Sequence, residues 1–314
     1  MKRYVVTGGA GFIGSNLVRL LLNEPDAGQV EVIDNCFTGD RANLDEVAAD
    51  VAYHDVDIRD FDGVAKVVKG ADAVFHLAAV PSVPRSIDDP VTCHDINING
   101  TFSVFRACVA GGVGRVVYAA SSSAYGNQEA SPQVETMIPA PLSPYAAQKL
   151  MGEYYVGVFK ECWNLETVGL RFFNVFGPKQ DPTSPYSGVI SIFMKCLIER
   201  RSPTIYGDGG QTRDFTFVED VAGLIIKASR ASGVGGRIFN AGNGNSYSLN
   251  LLWNSLNKIE GVDLPAHYGP PRMGDVRDSL AHTALAVRLL GHAPKFTLEE
   301  GLRRTLDWYK KRAV

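Results

Sequence analysis

The sequence predicts an α/β protein built on a doubly wound parallel sheet, with a smaller α/β unit interleaved with it. Three observations carry that reading. Short apolar runs alternate with helical patterns up to about residue 175, the rhythm of βαβ units. A glycine-rich turn joins the first run to the first helix. Beyond Asn174 the alternation gives way to Gly and Pro punctuation, so the later residues make a second unit.

In chain order, Arg3–Thr7 is the first expected strand and Phe12–Leu22 a helix, with apolar residues at Phe12, Ile13, Leu17, Leu20 and Leu21. Strands follow at Val30–Ile33, at Val51–Val56 and, after a helix over Phe61–Lys69, at Ala73–Leu77. Asp95–Ala110 is helical and Arg115–Ala119 a strand. Ser143-Pro144 opens a helix over Tyr145–Phe159, since proline suits a first helical turn. Thr167–Phe172 is another buried strand. Gly177-Pro178, Asp181-Pro182 and Ser184-Pro185 mark a loop. A helix over Val189–Glu199, a strand near Phe215–Val218 and a last helix over Leu298–Lys311 complete the pattern. The expected division is residues 1–173 plus 216–242 for the larger domain and 174–215 plus 243–314 for the smaller, with a site between them.

At 314 residues the chain can be one large unit or two joined domains. A net charge of −3 leaves no electrostatic footprint for nucleic acid or an anionic membrane, so an anionic ligand must be met by local Arg or Lys. The five cysteines, Cys36, Cys93, Cys108, Cys162 and Cys196, form no C-x-x-C pair; neither a disulfide framework nor a metal site is expected. Met1-Lys2-Arg3 runs straight into the first strand, and no run approaches the ~18 apolar residues of a membrane span. A reducing, cytoplasmic setting is the expectation.

Thr7-Gly8-Gly9-Ala10-Gly11-Phe12-Ile13-Gly14 falls at the first strand–helix junction, with Gly8, Gly11 and Gly14 in G-x-x-G-x-x-G spacing. Such glycines permit a tight turn, close backbone approach to a pyrophosphate and close packing of helix on strand. The helix N-terminus adds free N–H groups and a favourable dipole. Asp34 ends the second strand and can accept both ribose hydroxyls of an adenosine, which disfavours a 2′-phosphate; Asn35 and Cys36, not Arg or Lys, follow it. The cofactor implied is NAD.

Tyr145 and Lys149 lie four apart on one helix face. A free tyrosine titrates near ~10, and a nearby ammonium together with the positive nicotinamide favours the phenolate. Such a pair alone is commonplace on exposed helices. Here the strand 116–120 runs into Ser121-Ser122-Ser123-Ala124-Tyr125-Gly126, placing hydroxyls at the strand's C-terminal end, where open α/β sheets bind ligands. One of the three serines can hydrogen-bond the reacting oxygen beside Tyr145. His76, inside the apolar run 73–79, is expected to be a hydrogen-bonded core residue without chemistry.

Taken together these motifs resemble the extended short-chain dehydrogenase/reductase family over nearly the whole chain. Within it they are most similar to UDP-hexose 4-epimerases, those acting on N-acetylated sugars above all. The matching stretches are TGGAGFIG at 7–14, Asp34-Asn35, Asp57-Ile58, His76-Leu77-Ala78-Ala79, Asn97-Ile98-Asn99-Gly100-Thr101, SSSAYG at 121–126, SPYAAQK at 143–149 and Arg171-Phe172-Phe173-Asn174. The resemblance implies a Rossmann-type sheet. It implies Phe12 and Ile13 at the pyrophosphate, Asp57 and Ile58 at the adenine, and Leu77, Ala78, Ala79, Asn97 and Phe173 along the cofactor. Tyr145 is the implied base, Lys149 its partner and holder of the nicotinamide ribose, and Ser121 the best match for the catalytic hydroxyl, with Ser122 and Ser123 close alternatives.

For a nucleotide-sugar the resemblance implies Asn174, Val189, Tyr206, Arg213, Arg272 and Asp275, two separated arginines suiting a diphosphate. Ser279 matches the position that borders the sugar's 2-substituent, where a large aromatic excludes an N-acetyl group; Lys179-Gln180-Asp181-Pro182 points the same way. Family dehydratases carry an Asp–Glu pair where this chain has Ser122 and Ser123, which disfavours elimination. The implied reaction oxidises C4, turns the keto sugar and reduces it again, so NAD is regenerated and must stay bound. Plain UDP-glucose and UDP-galactose, and UDP-glucuronate, remain alternative substrates. Relatives pair as homodimers through the helices holding Asn97–Ala110 and Tyr145–Phe159, where Leu150, Tyr154, Val158 and Phe159 offer an apolar stripe that could equally face the core.

Overall fold

The computed structural model describes residues 1–181, 188–271 and 277–312. Seven strands, β1 (Lys2–Thr7), β2 (Ala27–Ile33), β3 (Val51–His54), β4 (Ala73–His76), β5 (Arg115–Ser121), β6 (Thr167–Phe172) and β7 (Arg237–Ala241), form one sheet in the order β7-β6-β5-β4-β1-β2-β3. Every pairing in it is parallel. The order reverses beside β1, and the crevice at the C-terminal ends of β1 and β4 is where such a sheet takes a ligand.

The helices are α1 (Phe12–Leu22), α2 (Phe61–Val68), α3 (Thr101–Ala110), α4 (Pro144–Trp163), α5 (Val189–Ile198), α6 (Val218–Arg230), α7 (Leu249–Glu260) and α8 (Leu298–Arg312), with shorter turns between. Strand alternation sends side chains to both faces. Tyr4 and Val6 of β1 join a core with Leu17 and Leu21 of α1 and Val221 and Ile225 of α6. Val5 between them points to the other face, packed with Val64 of α2, Phe105 of α3 and Val156 of α4. Burying each such side chain stabilises by roughly 1.5–3 kcal/mol. A third core joins Phe193 of α5, Trp253 of α7 and Leu302 of α8 to Phe176 and Phe217. The helix Ala284–Leu290 belongs to the larger unit's packing, since Ala286 and Leu290 lie in the first core.

Several elements differ from the sequence pattern in ways that matter. β5 runs two residues past Ala119, which puts Ser121 at its very end. α4 continues from Phe159 to Trp163 and closes at Asn164 in a left-handed conformation. Residues Asp95–Gly100 are wound as a π-helix before α3 begins. β7 and α6 were not anticipated. Asn240 interrupts the apolar run of β7, yet it is fully buried: the Tyr125 hydroxyl donates to its Oδ1 at 2.6 Å and its Nδ2 donates to the Gln133 carbonyl at 2.9 Å. The Phe215–Val218 run supplies only the short strand Thr216–Phe217, paired with Val175–Phe176, before α6 starts at Val218. Among the described residues no helix is long and apolar enough to cross a membrane.

Candidate active site

β1 ends at Thr7 and the chain turns through Gly8, which holds φ +75°. A Cβ on Gly8 would stand 2.6 Å from the Ala78 nitrogen and 2.9 Å from the Leu77 carbonyl carbon, so only glycine lets the loop nest against the end of β4. Gly14 meets the Gly8 carbonyl in the same way from the first turn of α1. Gly11 caps α1 without a side chain, and no acidic residue sits in its first turn, so the N–H groups around Phe12 and Ile13 face an anion unopposed. That cradle fits a dinucleotide pyrophosphate.

Asp34, nearly buried, fastens the cradle: its two oxygens accept the N–H of Ala10 at 2.9 Å and of Cys36 at 2.8 Å. Burial pushes its carboxyl up, against the pull of those two bonds. Each oxygen keeps acceptor capacity for a ribose hydroxyl. Asn35 donates to Asp57 at 3.0 Å, and Arg59 grips the same carboxylate through Nε at 2.9 Å and Nη2 at 2.7 Å, holding it below the usual range. Ile58 is buried beside Gly100. Asn97, on the π-helix, accepts the Val80 N–H at 2.8 Å and donates to Gln148 on α4 at 2.8 Å, so it fixes the loop after Ala79 to the helix that carries Tyr145.

His76 sits at the end of β4, fully buried, with Nδ1 2.7 Å from the Thr7 hydroxyl and Nε2 3.0 Å from that of Thr101. Burial and the Lys149 charge push it down to about 3. It is a neutral relay between the cradle and α3.

Tyr145 and Lys149 lie in the first two turns of α4, beside the end of β5. Ser121 accepts both the N–H of Ser123 at 3.2 Å and the Ser123 hydroxyl at 2.8 Å, so its own proton is not used by Ser123. Of the three serines, Ser121 is the one that acts on the phenol and Ser123 bonds to Ser121; Ser122 begins the turn between them. The Lys149 ammonium donates to the Ala119 carbonyl at 2.8 Å and lies 5.2 Å from the Tyr118 ring centre. The Tyr145 phenol stands above its ordinary value because of burial, and the group that opposes the rise is Ser121. Burial also lowers Lys149, to about 8.

On the other side of the crevice, Arg213 and Ser279 are register partners in a small sheet of Tyr247–Ser248, Thr212–Arg213 and Asp278–Ser279. Arg213 Nη1 donates to the carbonyls of Thr212 at 2.8 Å and Arg277 at 3.1 Å, an arrangement that sets the direction of the guanidinium. Exposed Asn174 is tied to the same strand by Nδ2 donating to the Asp214 carbonyl at 3.3 Å. Tyr206 lies partly exposed on a separate ribbon with His267–Gly269, joined to that sheet by Gln211 Nε2 on its carbonyl at 2.7 Å. Val189 opens α5. Arg272 and Asp275 lie outside the described residues.

The Phe173 side chain is fully buried against Tyr125, and its backbone N–H donates to the Ala241 carbonyl at 3.2 Å. Lys179 is turned inward, donating to the Asn43 carbonyl at 2.6 Å, and Asn43 in turn donates to the Ala10 carbonyl of the cradle.

Asp214 is the polar residue here that sequence reasoning passed over. Fully buried, it accepts the N–H groups of Asn243 at 2.7 Å, Gly244 at 2.9 Å and Ala281 at 3.2 Å, joining three chain segments behind Arg213. Burial raises it to about 6 despite those bonds. Its only signal in the sequence was a carboxylate leading the apolar run 215–218.

A glycine cradle on β1, an acid closing β2 and a Ser–Tyr–Lys set at β5 and α4 define a dinucleotide-dependent enzyme. The chain belongs to the NAD dependent epimerase/dehydratase family, whose model matches residues 4–242. It is 37% identical over 316 residues to a UDP-glucose 4-epimerase of Mycolicibacterium smegmatis, covering 99% of each chain. The fold superposes with a TM-score of 0.94 on a UDP-N-acetylglucosamine 4-epimerase from Methanobrevibacter ruminantium solved with UDP-N-acetylmuramic acid, 36% identical over 99% of both chains. A Thermotoga maritima UDP-glucose 4-epimerase solved with UDP-glucose gives 0.93 at 34% identity, covering 99% of this chain and 100% of that one.

Proposed function

We propose that this chain is an NAD-dependent UDP-hexose 4-epimerase that takes N-acetylated sugars, UDP-GlcNAc and UDP-GalNAc, and also UDP-glucose and UDP-galactose. The observation that carries the reaction is the placement of Tyr145 and Lys149 in the first turns of α4 beside Ser121 at the end of β5, where Lys149 is bonded to the Ala119 carbonyl. NAD, bound in the cradle, supplies the reversible hydride acceptor. Tyr145 takes the proton from the sugar O4 and later returns one to it from the same oxygen. Ser121 holds that hydroxyl in line with the phenol. The Lys149 ammonium, charged below about 8, adds positive potential at the crevice, and Arg213 anchors the diphosphate while the keto sugar turns. An acid–base pair for elimination has no candidate at Ser122 or Ser123.

The N-acetyl preference rests on Ser279, a small side chain next to Arg213. Incubation of purified protein with UDP-GlcNAc, UDP-glucose and UDP-glucuronate, without added NAD, and separation of products tests the reading. Formation of UDP-GalNAc supports it; turnover of UDP-glucuronate alone overturns the substrate, and an unchanged pool from all three overturns the reaction. Tyr145→Phe with full turnover would remove the base.

The protein's proposed state is a cytoplasmic homodimer. On α3 and α4, Phe102, Met151, Tyr154 and Val158 are exposed apolar residues, whereas Phe159 points into the core. Sedimentation at micromolar concentration decides it; a monomer refutes the pairing.

A further inference from the structure

Ser86 is fully buried on a short turn of helix, Val83–Asp88, that follows the cofactor-side loop after β4. Its hydroxyl donates to the Val83 carbonyl at 2.7 Å, and its oxygen accepts the backbone N–H of Tyr145 at 3.0 Å from 59 residues away. The first turn of a helix has donors without intrahelical partners. In α4 the side-chain acceptors for them come from two residues. Pro144 has no N–H, Ser143 Oγ takes that of Ala146 at 3.2 Å, and Ser86 takes that of Tyr145. The catalytic helix is thus capped partly by its own Ser143 and partly by another segment.

That segment is held on both sides. Towards α4, Val80 is tied through Asn97 to Gln148. Towards the loop after β2, the Arg85 guanidinium lies 4.6 Å over the Phe37 ring, and Thr38 Oγ1 donates to the Ala79 carbonyl at 3.5 Å. Residues 79–86 therefore bridge from the loop beyond Asp34 to the base.

Building on the epimerase reading, we propose that Ser86 is a positioning residue for Tyr145, a cap supplied from a distant segment of the chain that sets where the phenol stands relative to Ser121. It touches neither sugar nor cofactor. Removing its oxygen leaves the Tyr145 N–H unpaired and lets the first turn of α4 shift, and a small misplacement of a reacting group is costly in rate. The effect falls on kcat, because neither Arg213 nor the cradle moves.

The test compares NAD-loaded wild type with Ser86→Ala, Ser86→Thr and Ser86→Cys. Expected for S86A is a fall in kcat of about ten-fold, equivalent to about 1.4 kcal/mol of barrier. KM for the UDP-hexose and the bound NAD content stay within about two-fold of wild type. S86T, which keeps the hydroxyl, returns most of kcat, and S86C, a weaker acceptor, does not. Hydrogen exchange at the Tyr145 amide, read without substrate, speeds up in S86A and S86C but not in S86T. Wild-type kcat in S86A overturns the proposal, as does an S86T rate as low as that of S86A. Should S86A fail to fold, the S86T–S86C contrast decides alone. If wild type epimerises no UDP-hexose, the epimerase reading fails while the amide exchange still tests the cap.

Discussion

Glu153 and Arg171 form the pair whose rupture the structure makes most costly. Glu153 lies one turn beyond Lys149 on α4 and two beyond Tyr145, and Arg171 lies on β6 just before Phe173 and Asn174. The guanidinium is bidentate, Nε to Oε1 at 2.9 Å and Nη2 to Oε2 at 2.7 Å, with both side chains 4% exposed. Arg171 also stacks 4.4 Å over the Tyr125 ring, and its Nη1 is buried without a hydrogen-bond partner among the described residues. Burial pushes the Glu153 carboxyl up and Arg171 pulls it back.

Glu153→Gln keeps the shape and removes the charge. One acceptor remains, an amide NH₂ then faces a guanidinium N–H, and the arginine cannot deprotonate. Breaking one side of a buried pair costs about 3–5 kcal/mol. With a urea m-value of about 3 kcal/mol/M, the unfolding midpoint falls by about 1–1.7 M at unchanged m. The double variant Glu153→Met/Arg171→Met removes both charges and is expected to recover most of that loss, giving a coupling of several kcal/mol. A midpoint for E153Q within about 0.2 M of wild type, or a double variant no better than E153Q, refutes the reasoning.

Gly8→Ala combines a left-handed φ, about 1–2 kcal/mol, with overlap against the backbone of Leu77 and Ala78. It is expected to lose NAD on purification; Gly233→Ala, at similar φ with nothing near its Cβ, pays only the backbone cost and keeps NAD. Lys149 is lowered from 10.5 to about 8, so between those pH values the unfolded chain binds the extra proton and stability rises with pH on this account. Lys149→Met, which has no such proton, is expected to exceed wild type in stability most at pH 7 and to lose that advantage by pH 10.5, in denaturation series at each pH; a constant difference would count against burial as the cause. Phe37→Ala removes the surface under Arg85, and NAD is expected to dissociate several-fold faster with kcat little changed; an unchanged off-rate, measured by dilution, would show that the stacked pair does not cover the cofactor.

How much was legible beforehand follows from the range of the interactions. The first six strands and α1 were readable because alternation and glycine spacing are local, and a sheet buried on both faces demands apolar runs. β7 was not, since Asn240 makes it look like a loop until the Tyr125 hydroxyl and the Gln133 carbonyl, more than 100 residues away, satisfy it. Tyr145, Lys149 and the serines could be nominated from spacing alone. Their hydrogen bonds could not, because Lys149 had two acceptable partners and only packing against Tyr118 and Ala119 chose the carbonyl.

The sequence by itself determined the sheet, the cradle and the acid that closes β2, each dictated by steric rules acting over a few residues. Only the tertiary structure decided which serine meets the phenol, that Asp214 holds three segments behind Arg213, and that Ser86 caps the catalytic helix. Those are contacts between polar groups distant in sequence, and the need to satisfy a buried donor names no partner until the chain has brought one within reach.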